Sequence, residues 1–474
     1  MKALYFDRAT ARALAAQALG KVRKDLAFGR LSPVSYGEVP IPELPGPEWV
    51  KVANLECGLC GTDVHLMFMD IDPRSFAAAI PTLPRTFLGH ECWGRVVGAG
   101  ESARTGRDGP SGGFCPGERV ALRISWPSCV QMGIDPPCRQ CRAGAYMLCE
   151  NTGRLASQAT AAASAPDSPE PRRQGKGRRS RNGGRRRRAE AAPEPAVADT
   201  STMGAVAAVS GDGSWLSGDL GGGFSPIMVA HAEQLFRIPD AVPNERAVLL
   251  EPTAVAVHAA LRRLPQPGDH VLVIGGGSIG LLLMAVLRHY APDIELHCVV
   301  RHEMQAALAE WLGAIVHRPG AGLARDLARA SGACYVHAPF SNEALLGGFD
   351  VVFDAVGSGE TLRDALRWVR ARGAVVLLGA ELRSGRFDYT PLWHQEIDLL
   401  GVDGHATEAD GRSSFDHAAQ LLADPGFPVE GLVTHRFPMD AWQDAVRAFL
   451  DKEKSGAVKI VLEHLEARGT KRRT

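Results

Sequence analysis

His270-Val-Leu-Val-Ile-Gly-Gly-Gly-Ser-Ile-Gly280 places a short run of strand-forming residues directly before glycines spaced G-x-G-x-x-G, at Gly275, Gly277 and Gly280. The apolar stretch after it, Leu281-Leu-Leu-Met-Ala-Val-Leu287, reads as a buried helix and falls far short of the ~20 residues that span a bilayer. Strand, glycine turn and helix in this order open a β-α-β unit. The first glycine permits the tight turn, the second lets backbone approach a pyrophosphate, and the third lets helix and strand pack closely. The N–H groups around Gly275, Gly277, Ser278, Ile279 and Gly280, with the helix dipole behind them, then suit a dinucleotide's phosphates.

Downstream, further short apolar runs alternate with helical stretches: Leu296–Val300, Asp350–Asp354 and Ala374–Leu378. Runs without polar alternation are buried on both faces, as in a parallel sheet covered by helices. Residues 251–401 are therefore expected to form a doubly wound, parallel-sheet Rossmann domain, entered through a helix over Pro252–Leu264. The second strand should end near an acidic residue if the cofactor is NAD. Here it runs into Arg301-His302, so no carboxylate is placed to hold a ribose 2′-hydroxyl, and NADP is expected in preference to NAD.

Upstream, residues 1–250 are rich in glycine, proline and short β-prone runs such as Trp49–Val52, Gly94–Val97 and Glu118–Leu122, which predicts an all-β domain. Residues 402–474, with a helix over Ser414–Leu422 and a strand over Ala457–Leu462, are expected to return to it. Two cysteine-bearing segments in the β region carry metal chemistry. Cys60-Gly-Thr-Asp-Val-His65 and, further on, Gly89-His-Glu91 offer a thiolate, an imidazole and a carboxylate, a donor set that suits Zn²⁺. Between residues 129 and 149, Cys129, Cys138, Cys141 and Cys149 offer four thiolates, the set of a closed structural zinc site.

These segments, with the glycine turn after them, resemble the medium-chain dehydrogenase/reductase family, in particular the sorbitol- and threonine-dehydrogenase-like branch of its zinc alcohol dehydrogenases. The resemblance implies an α/β chain built from a GroES-like β-barrel catalytic domain and the Rossmann domain. It implies Cys60 and His90 as catalytic zinc ligands, Glu91 as a carboxylate able to approach the metal, and Glu251 of Glu251-Pro252 as the third protein ligand. Asp63 would orient His90, Thr62 would bind the substrate hydroxyl, and His65 would pass its proton towards solvent. The reaction would be hydride transfer between an alcohol or carbonyl compound and NAD(P), with zinc acidifying the bound hydroxyl. In the family the structural lobe runs C-x2-C-x2-C-x7-C. Cys138, Cys141 and Cys149 match its last three positions, whereas Asp135 stands in the first and Cys129 lies upstream; either could complete the site.

Ten cysteines in a chain with no secretory leader pattern point to a cytoplasmic protein in which thiols serve as ligands or packing groups. Cys57 is expected to be a packed neutral thiol, and Cys92, Cys115, Cys298 and Cys334 small buried hydrophobes. Lysine plus arginine and aspartate plus glutamate are equal at 53 each, so no overall field draws the chain to nucleic acid or membrane. The expected partners are a small alcohol or carbonyl substrate and further copies of the chain, as a homodimer or homotetramer built through the cofactor domain. A helical insertion is expected over Ala9–Lys24 and a disordered basic one over about 157–200. Two rival readings remain: a zinc-free quinone-reductase-like enzyme of the same fold, against which Cys60 and His90 argue, and nucleic-acid binding through Arg172–Arg188, which lacks interleaved aromatics. Leu66–Met69, Trp126 and the residues around Trp393 are expected to line the substrate pocket.

Overall fold

A computed structural model describes residues 1–7, 32–68, 70–72, 74–76, 85–105, 113–125, 128–152, 220–339, 342–385 and 387–464. The insertions expected over Ala9–Lys24 and about 157–200, and the pocket candidates Met69 and Trp126, lie outside them.

The first part of the chain supplies β1 (Lys2–Asp7), β2 (Val34–Glu38), β3 (Trp49–Gly58), helix α1 (Gly61–Met67), β4 (Arg85–Phe87), β5 (Glu91–Ala99), β6 (Arg119–Leu122), β7 (Ile227–His231) and β8 (Leu235–Arg237). Helix α2 (Leu250–Arg262) leads into β9 (His270–Ile274), helix α3 (Ser278–Tyr290), β10 (Glu295–Val299) and β11 (Ile315–His317). A hairpin of β12 (Cys334–Ala338) and β13 (Asn342–Leu346) precedes β14 (Phe349–Asp354), β15 (Val369–Leu377) and β16 (Asp398–Gly401). The chain then returns through helix α4 (Ser414–Ala423) to β17 (Val433–Pro438) and β18 (Lys459–Glu463).

Two sheets organise the molecule. The barrel sheet has the order β17-β18-β3-β5-β6-β8, with β7 paired to the first half of β3. The second half of β3 pairs with β18, so the late strand lies beside the segment that runs into Cys60. The other sheet has the order β11-β10-β9-β14-β15-β16, parallel throughout, which is the doubly wound dinucleotide-binding arrangement. Its central strands, β9, β10 and β14, are nearly fully buried because helices cover both faces: Val271, Val273 and Cys298 pack towards α2 and α3, and Leu272, Ile274 and Val352 towards the opposite face. Helix α3 is apolar around its whole circumference, with Leu281 to Leu287 all 0% exposed, as expected of a helix enclosed between sheet and α2.

Cys92 and Cys298 are buried, as expected, but Cys115 and Cys334 are exposed. Cys115 sits in the loop before β6, and Cys334 begins the two-stranded hairpin on the face it shares with exposed Leu346, opposite the face through which Tyr335 and Leu345 meet the core. The hairpin itself lies outside the sequence expectation; its strands are short, and their only sheet partner is each other.

Candidate active site and metal centres

The glycine turn follows β9 at the carboxyl ends of the parallel strands. Gly275 has φ of +107°, and a Cβ on Gly280 would stand 2.0 Å from the Gly275 carbonyl oxygen. At Gly277, the residue before α3, a Cβ would meet nothing within 4 Å, leaving open space over the helix N-terminus for an anion. Opposite the turn, Asp354 at the end of β14 accepts from the amides of Val356 and Gly357 and from the Thr361 hydroxyl, which fixes that wall. Arg301, just past β10, is exposed, and the Arg318 guanidinium donates to its carbonyl oxygen at 3.2 Å while pairing with Glu303. Two arginines therefore flank the place where the second strand ends.

In the barrel, Cys60 caps the amino terminus of α1 and His90 precedes β5. Asp63 ties the two segments together. One of its carboxylate oxygens accepts from the Cys60 amide at 3.1 Å, and the other accepts from the Gly89 amide at 3.0 Å and lies 3.8 Å from His90 Nδ1. The outcome is that Cys60, His90 and Glu91 each present a ligand atom within 4.8 Å of the others. Burial disfavours the His90 imidazolium, but Cys60, Asp63 and Glu251 outweigh it and raise its pKa well above the usual value. Glu251, in the first turn of α2, belongs to the same set of interacting charges. Burial pushes its carboxyl up to about 7; Glu91 and Asp63 add to this, while His90 and Lys459 oppose it.

Thr62 Oγ1 is buried with no hydrogen-bond partner among the described residues. A hydroxyl rarely stays so unless a ligand completes it. His65 stands at the outer end of α1, 30% exposed, with Nδ1 3.4 Å from Asp70. Next to it the two parts of the molecule touch: the Asp72 amide donates to the Leu382 carbonyl at 3.1 Å, and the Ser384 hydroxyl donates to Asp72. Of the pocket candidates, Met67 is 2% exposed and packs in the barrel core, and Trp393 is 67% exposed on an outer helix. Leu66 and Phe68 are half-buried on and just after α1.

Lys459 is the functional neighbour that sequence reading missed. It lies on β18, 1% exposed, and its Nζ forms an ion pair with Glu91, also 1% exposed. Gly58 makes room for this pair, since a Cβ there would stand 2.1 Å from Glu91 Oε2 and 2.9 Å from Lys459 Cε. Glu91 thus faces the Cys60 and His90 ligand atoms and also has a fixed cationic partner. A signal was present: a single lysine inside Ala457-Val-Lys-Ile-Val-Leu462 interrupts a buried strand, and such a charge is kept only when paired.

The four-cysteine lobe is compact. Cys129, Cys138, Cys141 and Cys149 bring their sulfurs within 4.8 Å of one another, and Asp135 is exposed away from them. Cys129 and Cys149 Sγ are 3.7 Å apart, close to the ~3.8 Å between thiolates around a tetrahedral zinc. Main-chain amides of Cys138 and Cys141 and the Asn151 amide donate to these sulfurs. Burial raises the Cys138 thiol, but amides of Cys141 and Glu150 and the neighbouring thiols outweigh it and bring it down to about 7. By contrast Cys57, buried beneath the active-site segment, is held well above the usual thiol range by burial and by Cys92, as a packing thiol should be.

Residues 46–167 match the alcohol dehydrogenase GroES-like domain, and residues 244–464 match the glucose dehydrogenase C-terminus. The chain belongs to the medium-chain dehydrogenase/reductase family. Among curated family relatives, an L-threonine 3-dehydrogenase of Anaeromyxobacter sp. (strain K) is 26% identical over 434 residues, 91% of this chain and 95% of that protein. An L-idonate 5-dehydrogenase of Vitis vinifera is 26% identical over 429 residues, 89% of each chain. Among solved structures of this fold, 2R,3R-butanediol dehydrogenase from Bacillus subtilis superposes with a TM-score of 0.60 at 22% identity, covering 98% of this chain and 99% of that one. Like other family members, the chain is an oxidoreductase of the alcohol and polyol dehydrogenase type. No helix among the described residues is long and apolar enough to cross a membrane.

Proposed function

We propose that this chain is a zinc-dependent dehydrogenase that transfers hydride between an alcohol or carbonyl compound and NADP, with NAD as the alternative cofactor. The observation that carries the reading is the convergence of Cys60, His90 and Glu91 ligand atoms, coupled electrostatically to Glu251, beside the unpartnered Thr62 hydroxyl. The donor set fits zinc. Zinc held there by Cys60, His90 and Glu251 would act as a Lewis acid on the substrate oxygen, and the nicotinamide would accept or donate the hydride. Asp63 orients His90 through its Nδ1 side and holds Cys60 in place through the main chain. Thr62 receives the substrate hydroxyl, and His65, paired with Asp70 near the surface, carries its proton outwards. Lys459 holds Glu91 turned towards β18 through their buried ion pair.

Cys129, Cys138, Cys141 and Cys149 form a separate structural zinc lobe in this reading, Cys129 taking the place that Asp135 holds in sequence. Arg301, with Arg318 beside it, favours NADP by meeting a 2′-phosphate. Residues 1–250 and 402–474 act as the catalytic unit and 251–401 as the cofactor unit. The substrate is a small secondary or primary alcohol, for which the L-threonine and L-idonate relatives are the guide. A homodimer or homotetramer would use the edge of the cofactor sheet, where β16 leaves one side open and Tyr389, Trp393 and Leu399 are exposed.

Metal content and NADP-linked turnover of the wild type, Cys60→Ser and Cys138→Ser test the reading. Each variant should lose one zinc, with Cys60→Ser remaining folded but inactive. A wild type prepared without chelators that contains no zinc would overturn it.

A further inference from the structure

Three histidines and a glutamate outside the proposed active site meet on one face of the parallel sheet. His270 opens β9, Glu295 and His297 lie on β10, and His317 closes β11. The register pairs Glu295 with His270 and His317 with Val299. Paired residues share a face and side chains alternate with period two, so all four project from the same side. His270 and Glu295 sit at the amino-terminal edge of the sheet; the length of β9, about 13 Å at 3.3 Å per residue, separates His270 from the glycine turn at the other end.

The side chains are arranged around one point. The Glu295 carboxylate reaches both imidazoles: Oε1 lies 3.1 Å from His297 Nε2, and Oε2 lies 3.8 Å from His270 Nδ1. These distances bracket the ~3.3 Å between neighbouring nitrogen and oxygen ligands of tetrahedral zinc. The donor atoms of His270, Glu295 and His297 all fall within 4.8 Å of one another. His270 Nδ1 is buried, yet no described residue offers it a hydrogen bond. A buried ring nitrogen aimed at a carboxylate without bonding to it is what an absent third party would explain.

We propose that His270, Glu295 and His297 form a further metal site, for a borderline divalent cation of the Zn²⁺ type, separate from both cysteine-containing clusters. Two imidazoles and one carboxylate are a sufficient protein ligand set for zinc. His297 is 0% exposed, whereas His270 and Glu295 are 34% and 46% exposed, so the ion would sit at the rim with its solvent side open to water. His317 Nε2 lies 3.1 Å from His297 Nδ1. By accepting a hydrogen bond from Nδ1–H it leaves the Nε2 lone pair of His297 for the metal, the usual arrangement of a ligating histidine. His317 is a positioning residue here, and the ion would staple β9 to β10.

The test is zinc content per chain after equilibrium dialysis of the full-length protein against Zn²⁺, comparing wild type, His270→Ala, Glu295→Gln, Cys60→Ser and Cys138→Ser. His270→Ala and Glu295→Gln each change a partly exposed side chain, leave the His270 amide bond to Asp350 in place, and should bind one zinc fewer than wild type with dehydrogenase turnover unchanged. Cys60→Ser and Cys138→Ser should keep this ion, which separates its fate from that of the proposed catalytic and structural sites. Co²⁺ added to protein whose cysteine clusters alone hold zinc should bind without a thiolate-to-metal charge-transfer band, and His317→Gln should weaken that binding about 10–100-fold. Equal zinc content in wild type, His270→Ala and Glu295→Gln overturns the proposal and leaves a hydrogen-bonded histidine–glutamate network.

Discussion

Replacing Lys459 with methionine would keep most of its aliphatic stem and remove the cation. Glu91 would then be left as a carboxylate 1% exposed, in the same charge set as Asp63 and Glu251. Water cannot reach it, and no other described residue forms an ion pair with it. Removing one partner of a buried pair in this way costs about 3–5 kcal/mol, because the surviving charge is uncompensated. Glu91→Gln combined with Lys459→Met removes both charges and should recover most of that loss, since a neutral pair of similar volume is often no less stable than the ion pair. Urea unfolding of the zinc-loaded proteins, followed by the fluorescence of Trp49 and Trp93 in the barrel, gives the four corners of a double-mutant cycle. If Lys459→Met and the double variant are destabilised equally, the loss is one of packing, and the assignment of Lys459 as the counter-ion of Glu91 is wrong.

His405 is 8% exposed, and burial, with the Arg123 charge, depresses its pKa to about 3. Its folded pKa lies below the unfolded value of 6.5, so its neutral form stabilises the protein fully above pH 6.5 and that stability drains away as pH falls towards 3. Between pH 6.5 and 5 the loss is about 2 kcal/mol; His405→Gln should flatten that part of the stability profile, and an unchanged slope would exclude His405 as its source. Gly280→Ala should lower cofactor affinity and cost about 1–3 kcal/mol, because its Cβ would meet a main-chain oxygen at 2.0 Å. Fluorescence titration with NADPH and thermal unfolding check both. Arg301→Asp should shift preference from NADP towards NAD by about 10–100-fold, the worth of one charge-assisted hydrogen bond, read as the ratio of the two kcat/KM values; an unchanged ratio would place the 2′-phosphate elsewhere.

The parts of the chain that were legible in advance are those whose constraints are local. Gly275 to Gly280 can be read because turn, close approach and helix start all fall within six residues. Cys60 and His90 could be paired because Asp63 acts inside the same short segment as Cys60, so the motif contains its own orienting group. Lys459 and Glu91 are separated by 368 residues, and no periodicity links them. The late strand was recognisable, but the partner of its lysine depends on β18 lying beside β3, which is a property of topology. The lobe at Cys129 lay between these cases. Its spacing departs from the family pattern, and the turn that brings Cys129 to Cys149 is closed by Met132 and Ile134 amides bonding back to Ser128 and Cys129. Cys115 and Cys334 were misplaced because residue type alone favours burial of cysteine, while Cys115 lies in a surface loop and Cys334 on the outward face of its hairpin, paired with exposed Leu346.

The pairing of β3 with β18 also governs the order in which the protein can be made. Every strand of the cofactor sheet is translated before Lys459, so the nascent barrel waits with Glu91 lacking its partner while 368 residues are added. At 5–20 residues per second that interval is roughly 20–70 s. The cofactor unit, whose strands are contiguous in the chain, can fold during the wait. The catalytic unit closes last, around a neighbour that is already folded.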